Sequence, residues 1–149
     1  MNNGFAEPET IERILREYRT VAVVGLSDKP YRPSYGVAGY LQSHGYRIIP
    51  VNPRLTGVLG EKAYPDLLSV PFEIEVVDIF RRSEDVPPVV EAAIEKEVKA
   101  IWMQEGVINR EAAEKARAAG VLVVINRCML KEHGRLALRE SISHPLRGR

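Results

Sequence analysis

The sequence predicts a single α/β domain, residues 1–149, with a Rossmann-type parallel sheet of about five strands in the order 3-2-1-4-5 and helices on both faces. Three observations carry that expectation: five short apolar runs recur along the chain, three of the four gaps between them have helical spacing, and a glycine ends the first run. Unbroken β-branched runs mark strands buried on both faces of a sheet. Strands that alternate with helices are joined by right-handed crossovers and so run parallel.

Ahead of the first run, Ile11, Ile14, Leu15 and Tyr18 recur at i, i+3, i+4 and i+7, the period of a helix. Pro8 and Glu9 suit its first turn, where a missing N–H costs nothing and a carboxylate meets the positive dipole end. The strand Val21-Ala22-Val23-Val24 follows and ends at Gly25. Val37, Tyr40 and Leu41 form the stripe of the next helix, which begins near Ser34 to Gly36 and stops at Gly45. Ile48-Ile49-Pro50-Val51 reads as the second strand, with Pro50 at its end because proline cannot donate to a ladder. Residues 53–73 hold turn formers and a Leu67-Leu68 pair, which predicts loop with one helical turn. Val76-Val77-Asp78-Ile79-Phe80 is the third strand. Asp85 then stands as the N-cap of a helix built on Val86, Val89, Val90, Ala93 and Ile94, with Pro87 and Pro88 in its first turn. Ala100-Ile101-Trp102-Met103 is the fourth strand, followed by a helix on Ala112, Ala113, Ala116 and Ala119, opened by Asn109 and closed by Gly120. Val121-Leu122-Val123-Val124-Ile125, the fifth strand, ends the pattern.

Composition narrows the function classes. Twenty-one basic and 20 acidic side chains leave a net charge of +1. Such balance creates no field for nucleic acid or an anionic membrane, so an anion site has to be local. No apolar run approaches the roughly 18 residues that span a bilayer. The polar start, Met1 to Glu9, lacks an apolar signal core, and the one cysteine, Cys128, fits a reducing compartment. The expected location is therefore the cytoplasm.

In a sheet of this kind, ligands bind outside the carboxyl ends of the strands, where the strand order reverses. The loop after the first strand is Gly25-Leu26-Ser27-Asp28-Lys29-Pro30-Tyr31-Arg32-Pro33-Ser34-Tyr35-Gly36. Its glycine lets the backbone approach a phosphate, and the helix start at Ser34, Tyr35 and Gly36 aims N–H groups at the same spot. Ser27 and Ser34 add hydroxyls, and Lys29 and Arg32 add charge. Replacing Gly25 by valine is expected to abolish ligand binding and leave the fold intact. Neither G-x-G-x-x-G nor G-x-x-x-x-G-K-[ST] is present. The second strand ends in Val51-Asn52-Pro53-Arg54, with no carboxylate for a ribose 2′-hydroxyl. Arg54 can instead grip a ribose phosphate, which points to NADP or coenzyme A. Phe80-Arg81-Arg82 and Trp102-Met103-Gln104-Glu105-Gly106 close the third and fourth strands, with Trp102 assigned to the core.

These blocks, together with Arg32-Pro33-Ser34-Tyr35-Gly36-Val37 and Pro50-Val51-Asn52-Pro53, resemble the small stand-alone CoA-binding domain proteins. Those proteins are relatives of the amino-terminal domain of the succinyl-CoA synthetase α subunit. The resemblance runs from about Glu12 to His133. It implies that Ser27, Asp28, Lys29 and Pro30 form the CoA phosphate loop and that Met103-Gln104-Glu105 stand where an Ile-Thr-Glu segment touches CoA. A lysine that contacts CoA after a Val-Thr-Pro turn is replaced here: Leu55 holds its place, and Arg54 is the nearest basic residue. The synthetase's phosphorylated histidine has no match in His44, His133 or His144.

A catalytic constellation is not legible. The three histidines lack ligand spacing, and no Ser/His/Asp order or carboxylate pair emerges. Asp78, inside an apolar strand, is expected to bond neighbouring backbone N–H groups. Cys128 reads as a structural thiol, with a mixed disulfide to the CoA thiol as the alternative. The expected function is non-catalytic binding of CoA or acyl-CoA by a carrier, sensor or regulator, with a protein partner not identified. The alternatives are a small NADP-linked oxidoreductase and a ligand-free interaction module.

Overall fold

The computed structural model describes residues 4–143. Pro8–Glu17 form α1 and Thr20–Val24 form β1, with Pro8 at the first helical position as its fixed φ favours. Pro33–Ser43 form α2, Arg47–Val51 form β2, and a two-residue hairpin, Gly57–Val58 (β3) with Glu61–Lys62 (β4), follows. Val76–Ile79 form β5, a single 3₁₀ turn covers Ser83–Asp85, and Val86–Glu95 form α3. Ala100–Met103 (β6), Arg110–Ala118 (α4), Leu122–Val124 (β7) and Met129–Ser143 (α5) complete the described chain.

The five-stranded parallel sheet expected from the apolar runs is present, ordered β2-β1-β5-β6-β7, or 2-1-3-4-5 when its own strands are counted. The order corrects the expected 3-2-1-4-5. The third sheet strand, β5, pairs with β1 through Val21↔Val76 to Val24↔Ile79, and β2 is left at the edge. The cause lies in residues 53–73, which hold no helical turn. Their Leu67 and Val70 are buried in the same core layer as Val77 and Ile79, as is Ile74 just after them in the chain. An irregular segment that buries its apolar side chains this way carries the chain back across β1. Pro50 agrees with the outcome: it lies fourth of five residues in β2, and a proline inside a strand belongs on an edge. Its carbonyl accepts from the Tyr64 amide at 3.0 Å, so residue 64 partly covers that edge.

Alternation along the strands splits the core into two layers. Val21, Val23, Ile48, Val76, Trp102 and Val124 face α1, α2 and α5, packing with Ile14, Leu15, Leu41 and Met129. Ala22, Val24, Ile49, Val77, Ile79, Ile101 and Met103 face α3 and α4, packing with Val90, Ala93, Ala113 and Ala116. Asn109 caps α4 as its residue type suggests, accepting from the Ala112 amide at 3.0 Å. Asp85 stands at the N-cap position of α3 but makes no side-chain cap; its carboxylate takes the Arg82 guanidinium at 3.0 Å. The sequence pattern predicts no counterpart of α5. That helix is amphipathic only through Met129, Leu136 and a few half-buried neighbours, and its other positions are mostly polar.

Candidate functional site

The reversal of strand order falls between β1 and β5, so the crevice opens where Gly25 and Phe80 leave the sheet. Gly25 has φ +89°, and a side-chain carbon built on it would lie 2.2 Å from the Phe80 carbonyl oxygen. The close approach that demands a glycine is therefore to the protein's own backbone. The expectation that Gly25→Val leaves the fold intact is corrected accordingly. The Gly25 amide donates to Val51 O at 2.9 Å and the Phe80 amide to Val24 O at 2.8 Å, so three strand ends are clamped together.

The β1–α2 loop is shaped by its own hydroxyls. The Ser27 amide donates to Ser34 Oγ at 3.0 Å, and the Lys29 amide to Ser27 Oγ at 3.0 Å. Each hydroxyl accepts one bond in these contacts and keeps its proton to donate. Asp28, Lys29, Pro30, Arg32, Pro33 and Gly36 are exposed, Tyr35 is partly buried, and Ser34 is buried. Leu26 is fully buried in the layer beneath α2. Across the loop, Asn52 Nδ2 donates to Leu26 O at 3.0 Å, and Asn52 Oδ1 accepts the Arg54 amide at 2.9 Å. Asn52 thus fixes the turn that displays Pro53 and Arg54, both exposed.

A second group of loops is stitched together around Ser83. Ser83 Oγ accepts the Ile108 amide at 2.9 Å, Asn109 Nδ2 donates to Ser83 O at 3.0 Å, and the Gly106 amide donates to Asn126 Oδ1 at 2.7 Å. Met103 turns into the layer under α3 and α4, while Gln104 is 5% exposed with its Oε1 unpartnered among the described residues. Glu105 is exposed and held by Lys131 at 3.0 Å.

The chain matches the model of a family described as CoA binding domain over residues 19–134. The chain belongs to that family of CoA-binding domains. It is 40% identical to the uncharacterized protein YneT of Bacillus subtilis over 123 residues, covering 83% of this chain and 91% of that one. It is 31% identical over 100 residues to acetate–CoA ligase [ADP-forming] II of Archaeoglobus fulgidus, covering 66% of this chain and 15% of the ligase. A hypothetical protein from Pyrococcus horikoshii has the same fold at TM-score 0.88 and 44% identity, covering 92% of this chain and 96% of that one. The apo dinucleotide-forming acetyl-coenzyme A synthetase 1 of Candidatus Korarchaeum cryptofilum matches at TM-score 0.64 and 25% identity, over 76% of this chain and 27% of that one.

The charges of this CoA-binding domain sort into two sets. Arg82 is tied to Asp85 at 3.0 Å and Glu84 at 3.9 Å, and the Asp85 carboxylate raises its pKa above the ordinary arginine value. Lys29, Arg54 and Arg81 follow the carboxyl ends of β1, β2 and β5 and make no ion pair among the described residues. A cleft of about 500 Å³ between Tyr18, Glu97 and Leu122 lies at the opposite edge, by the amino ends of the strands. It has no such gathering of free cations.

Other groups singled out in the sequence resolve differently. Both oxygens of Asp78 are buried and without a hydrogen-bond partner among the described residues, against the expected bonds to backbone N–H groups. Burial pushes its pKa well above the usual carboxylate range, so the acid is held neutral. Trp102 is fully buried and donates to Arg127 O at 2.8 Å, and Cys128 is buried against the same layer. His44 caps α2 and stacks on Tyr40 at 4.0 Å; His133 Nδ1 lies 2.9 Å from the Tyr40 hydroxyl. His144 lies outside the described residues. No group of three metal-ligating side chains occurs among the described residues, and no helix there is long and apolar enough to cross a membrane.

Proposed function

We propose that this chain binds coenzyme A or acyl-CoA at the β1–β5 crevice, as a carrier, sensor or regulatory protein and without chemistry of its own. The observation that carries the reading is that the α2 N-terminus and three cations without an ion pair among the described residues, Lys29, Arg54 and Arg81, all follow the carboxyl ends of the sheet strands. A helix N-terminus presents free N–H groups and a positive dipole end to a pyrophosphate. Arg54, held out by the Asn52 turn, is the group for the ribose 3′-phosphate, and a guanidinium can pair two oxygens of it. The loop residues Gly25, Leu26, Ser27, Asp28, Pro30, Arg32, Ser34, Tyr35 and Gly36 frame the pyrophosphate in this reading, with Asn52 and Pro53 beside the ribose. Phe80, Arg82, Met103, Gln104 and Glu105 belong to the pantetheine side; Leu26 in the first group and Met103 in the second contribute backbone only, because their side chains are buried.

Titration calorimetry with CoA, dephospho-CoA, NADP and NAD tests the proposal. CoA should bind, and dephospho-CoA should bind at least about tenfold more weakly, since a charge-assisted pair contributes about 1.5–3 kcal/mol. No CoA binding, or NADP binding tighter than CoA, overturns it.

A further inference from the structure

Tyr31 is the most exposed large apolar side chain among the described residues, at 75%, and it sits on the loop that bounds the proposed site. An exposed tyrosine on an unsupported tip would carry little meaning, but this one is mounted. The Arg32 amide donates to Lys29 O at 3.0 Å, closing a turn with Pro30 and Tyr31 at its centre. Proline at the second position presets that turn. Arg32 O then accepts from Tyr35 and Gly36, so the turn runs directly into α2, whose first residue is Pro33. The ring is thus displayed between two prolines on a backbone held at both ends, with the Arg32 guanidinium 5.8 Å from its centroid. It buries little apolar surface for the fold, and it shares its loop with the free cation Lys29.

We infer that Tyr31 is a stacking platform for the purine base of the bound nucleotide, with the Arg32 guanidinium over its ring. This inference rests on the CoA reading and names the part of the ligand that the loop grips beyond its phosphates. An aromatic face accepts any flat heteroaromatic ring, and a guanidinium at the ring adds its own attraction for a π-system. A phosphate loop alone would bind pyrophosphate-bearing ligands of any kind. A base platform at its tip selects those that carry an adenine at the reach of a nucleoside diphosphate.

The test uses the full chain and its Tyr31→Ala, Tyr31→Phe and Tyr31→Trp variants, with circular dichroism to confirm folding. Each is titrated with CoA, adenosine 3′,5′-bisphosphate and 4′-phosphopantetheine, which lacks the nucleotide. Tyr31→Ala should weaken CoA and the bisphosphate by about tenfold or more and leave phosphopantetheine unchanged. Tyr31→Phe and Tyr31→Trp should retain binding, and the fluorescence of the indole introduced by Tyr31→Trp should change on adding the bisphosphate. CoA affinity unchanged in Tyr31→Ala overturns the inference while the CoA reading stands. Equal losses for CoA and phosphopantetheine also overturn it, because the effect would then come from the loop's shape. A wild-type chain that binds none of the three overturns the CoA reading itself.

Discussion

Asp78 shows how one residue sets a stability term that no contact reveals. It lies in β5 opposite Val23 and Trp102, fully buried, with neither oxygen bonded among the described residues. Ionising it there would place an uncompensated charge in an apolar layer, so it stays protonated where an unfolded chain would ionise. The sign follows from proton counting. Below the ordinary carboxylate range both states hold the proton; above it only the native state does. Stability therefore falls as pH rises from about 4 towards the raised native pKa, by up to about 1.4 kcal/mol per pH unit. Asp78→Asn should remove that slope: between pH 5 and 7, urea denaturation should show the wild type losing stability relative to the variant. His133 titrates with the opposite sign, its pKa lowered first by burial and then by the His44 and Arg19 charges. It is present in both proteins and cancels in the difference. Parallel pH profiles would show that Asp78 ionises in the native state. Gly25 is the second residue of this kind. With φ +89° and the Phe80 carbonyl 2.2 Å from any added carbon, Gly25→Ala should cost about 3 kcal/mol or more in denaturant. A small loss would mean that β1 and β5 part easily at their ends.

At the scale of the element, α2 joins scaffold to site. Its buried face, Val37, Ala38 and Leu41, fixes it on the sheet, and its first turn, with Gly36 on the outer side, looks onto the proposed phosphate position. A side-chain carbon at Gly36 meets nothing within 4 Å. Gly36→Asp should thus leave stability unchanged or raise it by about 0.5–1 kcal/mol, through a lower unfolded-state entropy and a favourable dipole contact. The same carboxylate would repel a pyrophosphate, so CoA affinity should fall by about tenfold or more. The two effects have opposite signs, and thermal melts beside calorimetry separate them. A variant that binds CoA as the wild type does would move the phosphates away from α2. The loops around Ser83 and Asn126, stitched by their own hydrogen bonds, would form the other wall of the proposed site.

For the whole molecule, binding and stability are one equilibrium. A ligand that binds only the folded state raises stability by RT ln(1 + [L]/Kd), about 2.7 kcal/mol at a hundredfold excess over Kd. Saturating CoA should therefore raise the melting midpoint by several degrees, and NAD should raise it less. A midpoint indifferent to CoA would favour an interaction module without this ligand. The purified chain is also expected neither to hydrolyse acyl-CoA nor to ligate CoA to a carboxylic acid. Turnover abolished by a point change in the crevice would show chemistry that the proposal leaves out.

How much was legible beforehand depends on the range over which each cause acts. Apolar runs, helical periods, the Asn109 cap and the proline starts are local, so the five sheet strands and α1 to α4 can be read from neighbours in the chain. The blocks at the strand ends carried the family likeness for the same reason. Strand order is not local. It was decided by where residues 53–73 bury Leu67 and Val70, and only Pro50, acceptable on an edge, hinted that β2 lies outermost. α5 escaped because few of its residues are buried and its apolar stripe is thin. Which charges are paired across the fold was equally invisible, since Lys131 and Glu105 are far apart in sequence and only the tertiary structure brings them to 3.0 Å. Sequence alone determined the class of fold and the family; the tertiary structure decided the neighbours, because strand pairing and long-range ion pairing are settled by distances in space that chain separation does not specify.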